Sequence, residues 1–121
     1  VANYFLANTA AVGDEVVVDF RAPATPVYTD TSAAVIAANG LLLLGQVSDA
    51  GDQALYRDGG VRLLKHVTDN HTDFDPAADG IVQGATAMYH SAEERDVNMI
   101  YADFFYIEAL LKLQNDPFLI W

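Results

Sequence analysis

The chain has 121 residues, of which 52% are hydrophobic, and it carries 17 acidic against 6 basic side chains and no cysteine. This length suits one domain. The net charge of -11 argues against a nucleic-acid or membrane partner, because anionic surfaces are bound by clustered Lys and Arg. The absence of cysteine excludes a disulfide framework, a thiolate nucleophile and a cysteine-ligated zinc site. The apolar stretches are too short, or too interrupted by charge, to span a bilayer.

The first quarter of the chain predicts one helix end and one extended segment. Residues 1–8 are typical of the last turns of a helix, with Gly13 in the turn that follows. Residues 16–20 form a short β-branched run that is followed by Pro23 and Pro26, which indicates a strand or an extended segment.

A second helix is predicted from Asp30 or Thr31 to Leu44. Short polar side chains at its start suit an N-cap, and its small residues allow another helix to approach closely. Residues 41–44 are apolar on every side of the helix. Because such a helix is normally buried, the pattern predicts that it lies inside a larger helical assembly.

The second half of the chain predicts two more helices. One covers about residues 52–68 and is interrupted at Gly59 and Gly60, since glycine weakens a helix interior. The other covers about residues 98–114. Its predicted apolar face consists of Ile100, Phe104, Ile107, Leu110 and Leu111.

The segment between these two helices is polar. Residues 70–80 are rich in turn formers, residues 81–83 form another short extended stretch, and residues 88–98 form a charged connection. Helix pairs that are each preceded by a short extended piece favour a mainly helical class arranged as an α/α array.

Two helix motifs, in this order and spacing, carry a resemblance to a known family. They are Asp30-Thr31-Ser32-Ala33 and Tyr101-Ala102-Asp103-Phe104-Phe105, the second followed by Glu108-Ala109-Leu110. With Asp19-Phe20 and the 81–86 stretch between them, they closely resemble the C-terminal part of the unsaturated glucuronyl hydrolases, glycoside hydrolase family 88. The unsaturated rhamnogalacturonyl hydrolases of family 105 have a related toroid and are the nearest alternative.

The resemblance implies that residues 1–121 are the C-terminal fragment of a single (α/α)6 toroid whose N-terminal part is missing. It further implies hydrolysis of 4,5-unsaturated uronic acid from lyase-generated glycosaminoglycan-type oligosaccharides, without a cofactor. The catalytic aspartates are expected upstream, so we expect none in this chain and an inactive isolated fragment. The missing half or a second copy is expected to cover its spare apolar surface. The location of the protein stays unknown, since bacterial members of the family are cytoplasmic or periplasmic.

Substrate-binding residues are expected in a loop that, by this resemblance, borders the substrate: Tyr89, His90, Ser91 and Arg95. An aromatic ring stacks on a sugar face, His donates to hydroxyl groups, and Arg can hold a carboxylate or sulfate through two hydrogen bonds. Such a cation is needed in a chain as acidic as this one.

Asp30 and Ser32 are most simply interpreted as helix-capping residues, because short polar side chains satisfy the unpaired amides of a first turn. A second interpretation places both of them on the floor of the substrate pocket.

Other titratable groups are expected to be structural. His66 and His71 are predicted to face solvent or cap a helix end, with no metal bound, because there is no second His or Cys at ligand spacing. Asp103 is expected to cap or pair locally and Glu108 to be structural. The acidic run Asp69, Asp73, Asp75 and Asp79 lacks the glycine and terminal glutamate of an EF-hand loop, which predicts a solvated loop.

The sequence alone leaves a second functional class of protein open. A small helical module could use the same apolar surface to bind a protein partner. An independently folding monomer of ordinary surface hydrophobicity favours that module, whereas dimerisation, or dependence on an upstream segment, favours the enzyme fragment.

Overall fold

The computed structural model describes residues 1–115, which form a mainly helical structure, as predicted. The helices are α1 (Ala2–Ala10), α2 (Thr31–Val47), α3 (Gln53–Asn70) and α4 (Ile100–Leu113). Two short strands, β1 (Ala85–Thr86) and β2 (Arg95–Val97), lie between α3 and α4, with a 3-10 turn at Ala92–Glu94. Within the described range no helix combines the length and the apolar character needed to cross a membrane.

Helix α2 is the centre of the structure and packs against both α3 and α4. Side chains from all four helices form the buried core, including Leu6 of α1, Val35 and Ala38 of α2, Leu63 and Val67 of α3, and Ala102 and Ala109 of α4. The alanines at these contacts let the helix axes approach closely.

The start of α2 is set by a side-chain cap, as predicted. The Asp30 carboxylate accepts the backbone N–H of Ser32 at 3.1 Å and its hydroxyl at 2.6 Å, so that one amide of the first turn is satisfied. The helix continues to Val47, past the predicted end at Leu44.

The predicted interruption of α3 at Gly59 and Gly60 is wrong, since the helix runs through both residues. Both glycines are buried against neighbouring helices. A Cβ atom at position 59 would lie 2.5 Å from a methyl carbon of Leu6, and one at position 60 would lie 3.0 Å from the carbonyl oxygen of Ala38. These glycines therefore serve helix packing rather than a break in the helix.

The predicted apolar face of α4 is only partly correct, since Leu110 packs against the core but Ile100 and Ile107 are exposed. Ile100 is 85% exposed and Ile107 is 45% exposed, whereas the buried residues are Ala102, Tyr106, Glu108 and Ala109. The alanines allow close contact with α2, and the polar members are paired. Tyr106 shares a 3.0 Å hydrogen bond with Thr68, and Glu108 forms a 3.2 Å ion pair with Lys112.

The extended segments predicted around residues 16–20 and 81–83 each form one isolated antiparallel bridge, Val17 with Thr29 and Thr72 with Val82. Residues 85–97 form a hairpin that was not predicted, in which Ala85 pairs with Val97 and Thr86 with Arg95.

Asp103 does more than the local capping or pairing expected of it. One of its carboxylate oxygens accepts the backbone N–H groups of Ile81, at 3.0 Å, and of Val82, at 2.7 Å. It therefore fixes the segment before β1 against α4.

Candidate functional site

The hairpin brings the predicted substrate-binding residues together. Tyr89, His90 and Ser91 lie in the loop between β1 and β2, and Arg95 is the first residue of β2. Because the strands are antiparallel, Arg95 returns alongside the loop, and its Nη1 donates a 2.7 Å hydrogen bond to the carbonyl oxygen of Tyr89. A charged donor makes this a strong contact across the loop.

Tyr28, which the sequence analysis did not single out, completes this cluster. The Arg95 guanidinium carbon lies 4.0 Å from the centre of the Tyr28 ring, a cation–π contact. The Tyr28 and Tyr89 rings meet edge to face at 5.5 Å, and Tyr89 meets His90 in the same way at 4.9 Å. We call Tyr28, Tyr89, His90 and Arg95 the aromatic–arginine cluster.

Two surface clefts meet at Tyr89. The first, of about 230 Å³, is lined mainly by apolar groups that include Phe20, Pro23, Pro26 and Tyr28. The second is more polar and includes Asp19, Arg21 and His90. Tyr89 thus borders an apolar and a more polar depression at once.

The contacts of Arg95 and Ser91 are mainly internal. Arg95 is half-buried, with its guanidinium engaged by Tyr28 and Tyr89. Ser91 precedes the 3-10 turn, and its carbonyl oxygen accepts the Glu94 amide at 3.3 Å. Direct contact of either side chain with a substrate stays a prediction. Arg21 and His90 are exposed cations or potential cations on the second cleft, and the sequence analysis did not single out Arg21.

Asp30 and Ser32 lie where the hairpin meets α2. The carboxylate that caps the helix also accepts the backbone N–H of Thr86 in β1, at 3.3 Å, and the Thr86 hydroxyl donates to Thr29 at 2.7 Å. Ser32 is buried, with its hydroxyl bound to Asp30. These contacts join the hairpin to the start of α2. The role of both residues as a pocket floor stays a prediction.

A second polar cluster was not expected. His66 and His71 each place Nε2 at 3.1 Å from the same carboxylate oxygen of Glu15. His71 does occupy the C-cap position of α3, as predicted, but both side chains are only 20% exposed and face Glu15 rather than solvent. The contact could not be predicted because Glu15 is about fifty residues away in the sequence.

The charge of Glu15 is stabilised by this arrangement. Burial alone raises the pKa of its carboxyl group, but the hydrogen bonds and positive charge of His66 and His71 outweigh burial and hold the pKa below its ordinary value. The cluster is therefore a carboxylate facing two imidazoles.

No protein-family model matches the chain. Among curated proteins it is 30% identical over 119 residues to the unsaturated glucuronyl hydrolase of Bacillus sp. (strain GL1), which covers 95% of this chain. The chain spans about 31% of the length of that relative.

Solved structures give the same result. The chain superposes with a TM-score of 0.84 and 29% identity on an Asp-to-Asn variant of UGL with dGlcA-Glc-Rha-Glc. It superposes with a TM-score of 0.81 and 30% identity on the Bacillus sp. GL1 unsaturated glucuronyl hydrolase, described as responsible for the degradation of glycosaminoglycan. Each match covers 93% of this chain and 31% of the other.

The enzyme from Streptococcus agalactiae shares the fold over 99% of this chain, with a TM-score of 0.84 and 21% identity. The chain thus has the fold of part of a helical toroid. The proteins it is similar to are unsaturated glucuronyl hydrolases, which confirms the resemblance that the helix motifs indicate.

Proposed function

We propose that this chain is the C-terminal part of an (α/α)6 toroid that removes 4,5-unsaturated uronic acid from lyase-generated glycosaminoglycan-type oligosaccharides. The observation that carries the proposal is the similarity to an unsaturated glucuronyl hydrolase along 95% of the chain. The family 105 activity and the small interaction module are not favoured, because the similar proteins are named as glucuronyl hydrolases.

The proposed reaction is hydration of a vinyl ether. A carboxylic acid delivers a proton to C4 of the unsaturated sugar, water adds its oxygen to C5 and loses a proton, and the resulting hemiketal rearranges to release the sugar. This differs from direct displacement at the anomeric carbon by a pair of carboxylates. The acid is supplied by the remainder of the toroid, so that the isolated 121-residue chain is inactive.

The part of this chain in the reaction is to hold the sugar. Tyr89 offers a ring face between the two clefts, and His90 and Arg21 supply hydrogen-bond donors for a carboxylate or sulfate on the polar side. Arg95 is a positioning residue, since it fixes the ring of Tyr28 and the backbone of Tyr89. Arg21 shares the polar cleft with Asp19 and is one of only six basic side chains in a strongly acidic chain.

The test is hydrolysis of an unsaturated glucuronyl disaccharide by the purified full-length protein that contains this chain, with the saturated disaccharide as a control. We expect loss of the ultraviolet absorbance of the double bond together with sugar release, and no action on the saturated compound. Equal rates on both compounds would contradict the proposal. A preference for an unsaturated rhamnogalacturonyl disaccharide would instead support the family 105 activity.

A further inference from the structure

The cluster of Glu15, His66 and His71 has no part in the proposed hydrolysis. Its three potential ligand atoms lie within 4.8 Å of one another. Two imidazoles and one carboxylate are a donor set that divalent transition-metal ions bind in proteins. We propose that these residues form a binding site for a divalent transition-metal ion, for which Zn²⁺ is the best match.

The distances support this assignment. Zinc–nitrogen bonds of about 2.0–2.1 Å and zinc–oxygen bonds of about 2.0–2.2 Å place tetrahedral N and O ligands roughly 3.4 Å apart. Both Nε2 atoms are 3.1 Å from Oε2 of Glu15. Each nitrogen–oxygen pair therefore has to separate by only about 0.3 Å to reach the spacing of two zinc ligands.

The carboxylate is already oriented for this role. Its other oxygen, Oε1, accepts the Val16 backbone N–H at 3.2 Å, and Val16 is buried with 1% exposure. Oε2 is thereby directed at the two imidazoles. Hydrogen bonds of this kind that orient a ligand are a regular part of metal sites.

Metal binding has one local requirement. When Nε2 binds the ion, each imidazole proton resides on Nδ1. The side-chain nitrogen of Asn70 lies 3.4 Å from Nδ1 of His66 and donates a 2.9 Å hydrogen bond to the His66 carbonyl oxygen. Metal binding therefore requires the Asn70 side chain to move away from Nδ1 and give up that hydrogen bond.

The site is structural and joins distant parts of the chain. His66 and His71 lie in the last turns of α3 and at its C-cap, and Glu15 precedes the extended segment that leads to Tyr28. His71 Nδ1 also lies 3.6 Å from the Cβ position of Gly84, next to β1. A bound ion would therefore stabilise both segments that support the aromatic–arginine cluster.

The experiment is titration of the chelator-treated protein with Zn²⁺ by calorimetry and with Co²⁺ by absorption spectroscopy. His66→Gln and His71→Gln each retain an N–H donor for Glu15 but remove an imidazole ligand. We expect one ion per chain, a Co²⁺ spectrum of low coordination number and a metal-dependent rise in Tm. Each variant should weaken binding by at least about 100-fold, beyond the roughly 10–100-fold cost of an outer-shell change.

The matched control is His90→Gln, which removes the remaining histidine of the chain. It should leave stoichiometry and affinity unchanged. Absence of stoichiometric binding, retention of wild-type affinity in His66→Gln and His71→Gln, or loss of binding in His90→Gln would each overturn the proposal. Thermal unfolding of each variant without metal shows whether it is folded. If either His variant does not fold, Glu15→Gln replaces it with the same expected loss.

Discussion

The carboxylate of Asp103 joins α4 to the segment before β1 by accepting the amides of Ile81 and Val82. Replacement by Ala leaves both N–H groups without their acceptor, and Val82 is fully buried. We expect Asp103→Ala to lower the free energy of unfolding by about 2–4 kcal/mol, from the cost of unpaired buried donors and lost charged hydrogen bonds. Urea denaturation measures this.

Asp103→Asn is the informative companion, because it retains an acceptor oxygen but loses the charge. It should cost about half as much, since neutral hydrogen bonds are roughly half as strong. Asp58→Asn on the exposed surface of α3 is the control, with an expected change within about 0.5 kcal/mol. Equal small effects in all three variants would show that the Asp103 contact does not support the fold.

Substitution of Arg95 tests its role in positioning Tyr28 and Tyr89. Arg95→Lys keeps the charge but loses the planar contact with Tyr28 and the directed hydrogen bond to Tyr89. We expect KM for the unsaturated disaccharide to rise about 5–30-fold, corresponding to about 1–2 kcal/mol of lost orientation, with kcat nearly unchanged. Steady-state kinetics measure both constants.

The control is Arg57→Lys, an exposed arginine on α3, which should leave both constants unchanged. An Arg95→Lys enzyme with wild-type KM would contradict the positioning role. A fall in kcat alone would place Arg95 in the chemical step instead.

The role of a residue could be predicted where its partners are close to it in the sequence. The Asp30 cap depends on neighbours two residues away and was readable from the sequence. Tyr28 was missed because a single tyrosine after a proline-rich loop gives no signal until the hairpin places Arg95 against it. Glu15 was missed for the same reason, since its partners are separated from it by about fifty residues.

At the level of helices, two glycines are expected to respond in opposite ways to the same substitution. Gly60→Ala places a Cβ 3.0 Å from the Ala38 carbonyl oxygen, which cannot move without shifting α2. We expect destabilisation by about 1–3 kcal/mol, as for other overpacked positions. Gly40 in α2 has nothing within 4 Å of the Cβ position.

Gly40→Ala should therefore stabilise the 121-residue chain by up to about 1 kcal/mol, because alanine is the better helix former. Both variants are measured by urea denaturation at one low protein concentration. The same sign of change for both would contradict the packing described for α2 and α3.

The four helices were predictable from the sequence, but the face that α4 buries was not. All four helices were expected from periodicity and caps, yet the face of α4 was predicted from its large apolar residues. The structure instead buries Ala102 and Ala109, because small side chains permit the closest approach to α2. The β1–β2 hairpin was not predicted because strands of two and three residues carry no period-two pattern.

For the molecule as a whole, α2 exposes an apolar stripe of Ile36, Leu43 and Val47, spaced so that all three lie on one helix face. Such a stripe favours association. We expect the 121-residue chain to self-associate in sedimentation experiments, and Leu43→Gln to reduce association. Leu55→Gln on α3 is the matched control. A wild-type chain that is monomeric at all concentrations would favour the interaction-module interpretation.

We propose that the full-length enzyme containing this chain hydrates a vinyl ether. NMR tests this step when the purified full-length enzyme acts on an unsaturated glucuronyl disaccharide in D2O and the reaction is followed from the first turnovers. The C4 vinyl proton signal should disappear as the sugar is released, with one deuterium added to a single face of C4. Release of a sugar that still carries its C4 vinyl proton would rule out hydration and indicate displacement at the anomeric carbon.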